Sequence, residues 1–376
     1  MLLSQTPKPS QIFNHTANIR DASTRSSLMP ACSKCVSFQI LRSMIPRPKT
    51  TPLHLGLLGL LIAAMAVIGA EPPQTSAPNP STPASPDTPR ATSRRILPKA
   101  EWLDRDHGAP NGTQYRTFQS KVLDREVSYL VYLPPGYEQE KQRYPVIYLL
   151  HGMGGNQRDG ATTYVPLLEA AIKEGVMPPT IVVLVNGMVK SCYCDSSNGQ
   201  CPMESVIIRD LIPHVDQSYR TMAGRESRVI EGYSMGGYGA GHLGFKYPEL
   251  FGTVVINAGG LNDPSPMNIP EDDPMFGVFG ADNARRVAAH PRELARKNAD
   301  RLRAQTNLRI GCGSLDNLLP GNQALHELLT QLGIKHEYEV VPDVVHNSGI
   351  YYRKLGTKVF EFHRKCLQTQ TQNKVK

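Results

Sequence analysis

The chain has 376 residues, 40% of them hydrophobic, with 41 Lys and Arg against 33 Asp and Glu. That length and apolar content are enough to bury one large core or two small ones. The formal charge of +8 does not mark a nucleic-acid partner: residues 1–70 hold seven Lys and Arg against Asp21 alone, leaving +2 for everything after Ala70.

In chain order, residues 1–43 read as an N-terminal extension of uncertain standing, because Met44 would open a signal peptide of ordinary length. The run LHLGLLGLLIAAMAVIGA, Leu53 to Ala70, follows Arg47 and Lys49 and ends in small residues. A positive flank, a short apolar stretch and a small-residue end describe a secretory signal over 44–70. The alternative is a retained membrane tether through 53–70, for which the run is borderline in length. Residues 71–93 are mostly Pro, Ser and Thr and read as an extended linker, or as a glycosylated stalk. The chain is therefore expected outside the cytoplasm: secreted, periplasmic or on the cell surface. A globular domain is expected over 94–367, with a polar tail at 368–376.

Within that domain, TFQSKVLD and REVSYLVYLPP read as two antiparallel strands, and YPVIYLLHG as a strand buried on both faces. A helix is expected around Tyr164–Glu174, then the strand TIVVLVNG and a helix around Met203–Gln217. The strand SRVIEG leads into a helix reaching about Tyr247, and FGTVVINAG and LRIGCG are further strands. A helix around Gly321–Leu332 precedes the strand HEYEVV, and a closing helix runs from about Tyr351 to Lys365. Alternating strands and helices with continuously apolar strands predict an α/β domain, a mostly parallel central sheet with helices on both faces. Between Leu261 and Arg301 the pattern lapses into an irregular insert rich in Pro, Asp and Asn, a candidate flap on the substrate side.

Five cysteines follow Ala70. In an exported protein, KSCYCDSSNGQC suggests a disulfide of Cys192 or Cys194 with Cys201, since no histidine lies near and the spacing fits no zinc pattern. Cys312, inside an apolar strand, reads as a small buried hydrophobe.

The chemistry concentrates in EGYSMGGYGAG. Gly232-Tyr233-Ser234-Met235-Gly236 matches G-x-S-x-G, a strained strand-to-helix turn that raises one hydroxyl clear of the sheet; larger residues two positions either side would collide with neighbouring elements. A serine hydroxyl needs a base and an orienting acid, and in this architecture both follow it in the order acid, then histidine. Asp316, after the strand LRIGCG, and His346, after EYEVV, end two adjacent strands at the edge where ligands bind. His326 and His363 fall inside expected helices, His336 sits at the wrong end of its strand, and His242 is expected to pack. Asp343 is a rival acid too close in sequence to His346 to reach its ring. Oxyanion donors are expected from the backbone amides of Met235 and of Met153 in HGMGG. His151 is expected to fix that loop.

These segments resemble the family named "Putative esterase" among the α/β-hydrolases, which includes esterase D-like enzymes, feruloyl and acetylxylan esterases and the mycolyltransferases. The resemblance runs from about Tyr115 to Leu367 and is carried by VYLPPGYEQEKQRYPVIYLLHGMGG, CDSSNGQCPMESVIIRDLIPHVDQSYRT, EGYSMGGYGAGHLGFKYPELF, GCGSLDN and VVHNSG. It implies the α/β-hydrolase fold, a nucleophile at Ser234, an acid at Asp316, a base at His346 and no cofactor. The stretch around Asp195 and Glu204 is similar to the segment that supports the family's active site. Met203 stands where many members carry an aromatic residue, and three cysteines there are unusual. The implied activity is hydrolysis of a carboxylic ester, with acetyl or feruloyl esters of polysaccharide, or similar small esters, as substrate. An acyltransferase, an S-formylglutathione hydrolase and a non-catalytic, surface-tethered binding module are the alternatives.

Overall fold

The computed structural model describes residues 101–104, 108–110, 112–264 and 276–373. The expectations for residues 1–93, the signal, tether and linker among them, lie outside the described residues, as does 265–275 of the insert. Among the described residues no helix is long and apolar enough to cross a membrane.

Eight strands form one sheet: β1 (Thr113–Ser120), β2 (Arg125–Tyr132), β3 (Val146–Leu150), β4 (Ile181–Val185), β5 (Arg228–Tyr233), β6 (Thr253–Asn257), β7 (Asn307–Gly313) and β8 (Glu337–Val341). Their spatial order is β1-β2-β4-β3-β5-β6-β7-β8. The β1–β2 and β2–β4 pairs are antiparallel and every other pair is parallel. The first strand begins and ends four residues earlier than its sequence suggests. Asp210 accepts hydrogen bonds from the Ser120 hydroxyl (2.6 Å) and the Val122 amide (3.0 Å), so the chain turns there instead of continuing to Asp124.

Side chains alternate across the sheet as a pleat requires. From β3 and β4, Val146, Tyr148, Leu150, Ile181, Val183 and Val185 join one apolar cluster, while Ile147, Leu149, Val182 and Leu184 join another on the opposite face. The second cluster is covered by α1 (Arg158–Lys173), α10 (Ser348–Leu355) and Leu367 of α11 (Glu361–Asn373). Helix α1 starts six residues before its expected position, because Ala161, Tyr164, Val165, Leu168 and Ala171 make one buried stripe. The first cluster is covered by α2 (Met203–Ser205), which runs through a π-helical turn at Val206–Leu211 into α3 (Ile212–Ser218), and by α4 (Met235–Lys246). The closing helix is interrupted: Gly356 takes a φ of 57° between α10 and a 3₁₀ turn, and α11 then reaches Asn373, into the segment read as a tail.

The insert is more ordered than its composition implies. Its described part folds into α5 (Phe276–Phe279), α6 (Asn283–Ala289), α7 (Pro291–Lys297) and α8 (Ala299–Gln305). Pro291 begins α7, where a proline costs no hydrogen bond, and Asp282 caps α6 by accepting from the Arg285 amide. The remaining helix, α9 (Leu319–Gln331), links β7 to β8.

Candidate active site

Ser234 occupies the junction of β5 and α4 with φ 60° and ψ −116°, a conformation an L-residue holds only when its surroundings enforce it. The enforcement is visible. The Ser234 amide donates to Asn257 O at 3.0 Å, and its own carbonyl accepts from Tyr238 and Gly260. A Cβ on Gly232 would lie 2.8 Å from Gly236 Cα and nearer still to its carbonyl. One on Gly236 would lie 2.6 Å from the Leu150 carbonyl carbon and 2.9 Å from His151 O. Both glycines are thus demanded by close backbone approach.

The structure brings Ser234, His346 and Asp316 together from the ends of β5, β8 and β7. Ser234 Oγ lies 2.9 Å from His346 Nε2, and His346 Nδ1 lies 2.8 Å from Asp316 Oδ2. A carboxylate accepts, so Nδ1 carries the proton and Nε2 is left to accept from the serine. Asp316 is buried, and its other oxygen accepts from the Leu318 amide at 2.8 Å. Tyr233 hydroxyl donates to Oδ2 at 3.4 Å. The imidazole is 32% exposed, so it meets solvent and any incoming group. Chemically, the arrangement can take a proton from Ser234, hold it on a ring stabilised by a buried carboxylate, and return it.

The oxyanion expectation concerns two amides. Met235 opens α4, where backbone N–H groups lack intrahelical acceptors. Met153 lies in the loop after β3, and its amide has no hydrogen-bond partner among the described residues. The preceding residue, Gly152, packs beside Ser234: a Cβ there would be 3.5 Å from Ser234 Cβ.

His151 fixes this loop, as expected, but not alone. Its Nδ1 donates to Gly152 O (2.9 Å) and its Nε2 accepts from the Gly187 amide (3.1 Å). Burial holds the ring below its ordinary pKa and so neutral, which this donor–acceptor pair requires. Tyr193, at φ 57° and fully buried, donates its hydroxyl to His151 O at 3.0 Å. No sequence signal marked Tyr193, which lies within the cysteine loop.

The disulfide expected of Cys192 or Cys194 with Cys201 falls within that loop. Cys192 and Cys194 are buried and Cys201 is half-buried. Cys194 Sγ donates to the Cys192 carbonyl, 3.5 Å away. Hydrogen bonds brace the loop. Asp195 accepts from the Ser205 amide and hydroxyl, Ser196 Oγ accepts from the Cys201 amide, and Arg285 donates to the Asp195 and Ser196 carbonyls. Cys312 is buried, as a small hydrophobe in a strand should be.

The remaining candidates are engaged elsewhere. His242 bonds Glu204 and the Ala289 carbonyl, His326 and His336 bond each other, and His363 bonds Glu231. Asp343 sits in a left-handed turn with its amide on Ser314 Oγ. Glu204 accepts from His242 (2.6 Å), Lys246 (2.6 Å) and Tyr247 (2.5 Å), tying α2 to the helix that begins at the nucleophile. Burial alone would raise its pKa, but these donors, His242 foremost, bring it down to about 2. Beneath Ser234, buried Glu231 accepts from Tyr164, Asn257, Tyr352 and His363, joining the elbow strand to α1, α10 and α11.

The family model described as "Putative esterase" matches residues 120–361. An "Endo-1,4-beta-xylanase/feruloyl esterase" of Xylanibacter ruminicola is 31% identical over 177 residues, 45% of this chain. The chain spans only 24% of the length of that relative. An "Acetyl esterase" of Caldicellulosiruptor saccharolyticus is 27% identical over 266 residues, covering 66% of this chain and 96% of its own. A solved "ferulic acid esterase" superimposes with a TM-score of 0.59 at 22% identity, covering 68% of this chain and 98% of that one. The likeness is one of architecture, the α/β-hydrolase fold with its mixed eight-stranded sheet.

Proposed function

The chain belongs to the family described as "Putative esterase", and from that premise we propose that it hydrolyses carboxylic esters with Ser234, His346 and Asp316 as its catalytic triad. The observation that carries this reading is the unbroken relay from Ser234 Oγ through His346 to Asp316, at 2.9 Å and 2.8 Å.

In the proposed reaction, Ser234 Oγ attacks the ester carbonyl carbon while His346 Nε2 takes the hydroxyl proton. The carbonyl oxygen becomes an oxyanion, facing the amides of Met153 and Met235. Collapse expels the alkoxide, which receives the proton from Nε2, and leaves an acyl-Ser234. Water repeats the sequence with His346 as base, releasing the carboxylic acid and restoring the serine. Asp316 stays ionised throughout and stabilises the imidazolium.

Acetyl or feruloyl groups on polysaccharide are the proposed substrates, supported by the names of the relatives and by the proposed export through residues 44–70. Turnover of an aryl acetate, an aryl butyrate, methyl ferulate and acetylated xylan by the wild type and by Ser234→Ala tests this. The proposal expects loss of activity in the variant by several orders of magnitude. An inert wild type would favour a binding module, and acyl product on an added sugar would favour a transferase.

A further inference from the structure

Beside Ser234 lies a cavity of about 290 Å³ whose walls include Tyr233, His346 and Tyr352. Tyr233 is the last residue of β5, joined by its peptide bond to Ser234, and it is 6% exposed. Its phenol ring packs on the His346 imidazole, 5.3 Å between centroids with the planes 34° apart. Its hydroxyl donates to Asp316 Oδ2 at 3.4 Å, the oxygen that also accepts from His346 Nδ1. One side chain thus touches both the base and the acid from the residue next to the nucleophile.

The contacts continue away from the triad. The Tyr233 ring lies 5.6 Å from that of Tyr351 and 6.4 Å from that of Tyr352, both on α10, which begins two residues after His346. The base is thereby held against the elbow strand through its ring and through the helix that follows it. Hydroxyl and ring differ in what they bring. At 3.4 Å the hydroxyl bond is long, and Asp316 already accepts from Nδ1 and from the Leu318 amide. Burial foremost, then the Asp316 carboxylate, holds the phenol above its ordinary pKa, so it adds no charge of its own.

The ring is the stronger partner. An aromatic face carries partial negative charge and attracts a cation within about 6 Å of its centroid. His346 becomes a cation only while it holds the Ser234 proton, so the attraction grows as the barrier is climbed. Only interactions that grow in this way speed the chemical step. Resting on the triad reading above, we propose that Tyr233 is a positioning residue of the reaction. Its ring holds the imidazole towards Ser234 and stabilises the imidazolium as it forms. The position between Gly232 and Ser234 then calls for an aromatic ring and not for apolar bulk alone.

The test varies the electrons of the ring at nearly constant shape, with an aryl acetate as substrate. Tyr233→Phe, which loses only the long hydroxyl bond, should cost about two- to fivefold in kcat. Phenylalanines of increasing ring fluorination at position 233 drain the aromatic face. Their kcat should fall stepwise, to about 3- to 30-fold below Tyr233→Phe for pentafluorophenylalanine, with KM changed by less than about twofold. Tyr233→Leu should fall at least as far. A flat kcat across the fluorinated series, as packing alone would give, overturns the proposal, and so does Tyr233→Leu as active as Tyr233→Phe. Failure of the triad reading is separable, because the contact can be read without turnover. In a Ser234→Ala background, NMR titration should show the charged His346 ring persisting to higher pH with phenylalanine at position 233 than with pentafluorophenylalanine, by about half a pH unit or more. Asp316, the carboxylate paired with the ring, is common to both. Coincident titrations sink the proposal whether or not the wild type turns over esters.

Discussion

One methyl group at Gly236 is enough to test whether the elbow is built by steric exclusion. In Gly236→Ala the new Cβ would sit 2.6 Å from the Leu150 carbonyl carbon, closer still to its oxygen, and 2.9 Å from His151 O. Real Cβ contacts below 3.0 Å are essentially never seen, so helix α4 or the loop after β3 must retreat by several tenths of an ångström, up to about 1 Å. Those atoms are backbone and cannot step aside as a side-chain tip would. The loop that moves carries the Met153 amide and the helix carries Met235, so the retreat pulls the proposed oxyanion donors apart. Misplacement on this scale costs about 10²-fold in rate, and overpacking a rigid contact costs about 1–3 kcal/mol of stability, several degrees in melting temperature. Gly260→Ala is the matched control: its Cβ would meet only Ser234 O, 4.0 Å away. Kinetics on an aryl acetate, with melting curves for both variants, read the difference. Gly236→Ala with wild-type kcat/KM and stability, or Gly260→Ala impaired to the same degree, would refute the steric argument.

Other consequences follow from the surrounding shell. Glu204 is depressed from 4.5 to about 2, so its contribution to stability is present above about pH 4.5 and lost as the pH falls through 2. The shift corresponds to about 3 kcal/mol; chemical denaturation between pH 5 and 2 should show a loss in wild type that Glu204→Gln lacks, and parallel curves would contradict it. Tyr193→Phe keeps the ring against Gly187 and Gly239 but deletes the hydrogen bond to His151 O. It should cost about 1–2 kcal/mol and lower kcat more than it raises KM, because the loop loosens while the cavity keeps its walls. A variant changed only in KM would place Tyr193 in substrate binding instead. Asp316→Asn should lower kcat by about 10⁴-fold, since an amide can offer His346 a donor and favour the wrong tautomer; a loss under tenfold would remove Asp316 from the relay.

The nucleophile turn was the most legible part of the sequence, because its glycines answer to a backbone clash and so leave a fixed spacing. Asp316 and His346 were legible through strand order: each follows an apolar run that ends at the same edge of the sheet. The bracing of the cysteine loop was not legible, because spacing speaks only to chain closure, whereas Asp195, Ser196 and Arg285 hydrogen-bond across the loop, the last of them about 90 residues downstream. The insert was misread because α6, α7 and α8 are seven residues each, too short to show a helical period among their charges. Tyr193 carried no signal, since it acquires its role from His151, a neighbour that only the fold supplies.

The most direct measurement is covalent labelling with an aryl phosphonofluoridate, followed by intact-mass and peptide mapping. The triad account predicts one adduct per chain, on the peptide containing Ser234. The adduct should be absent in Ser234→Ala and form far more slowly in His346→Ala. A label on another residue, or Ser234→Ala turning over an aryl acetate at the wild-type rate, would contradict the account.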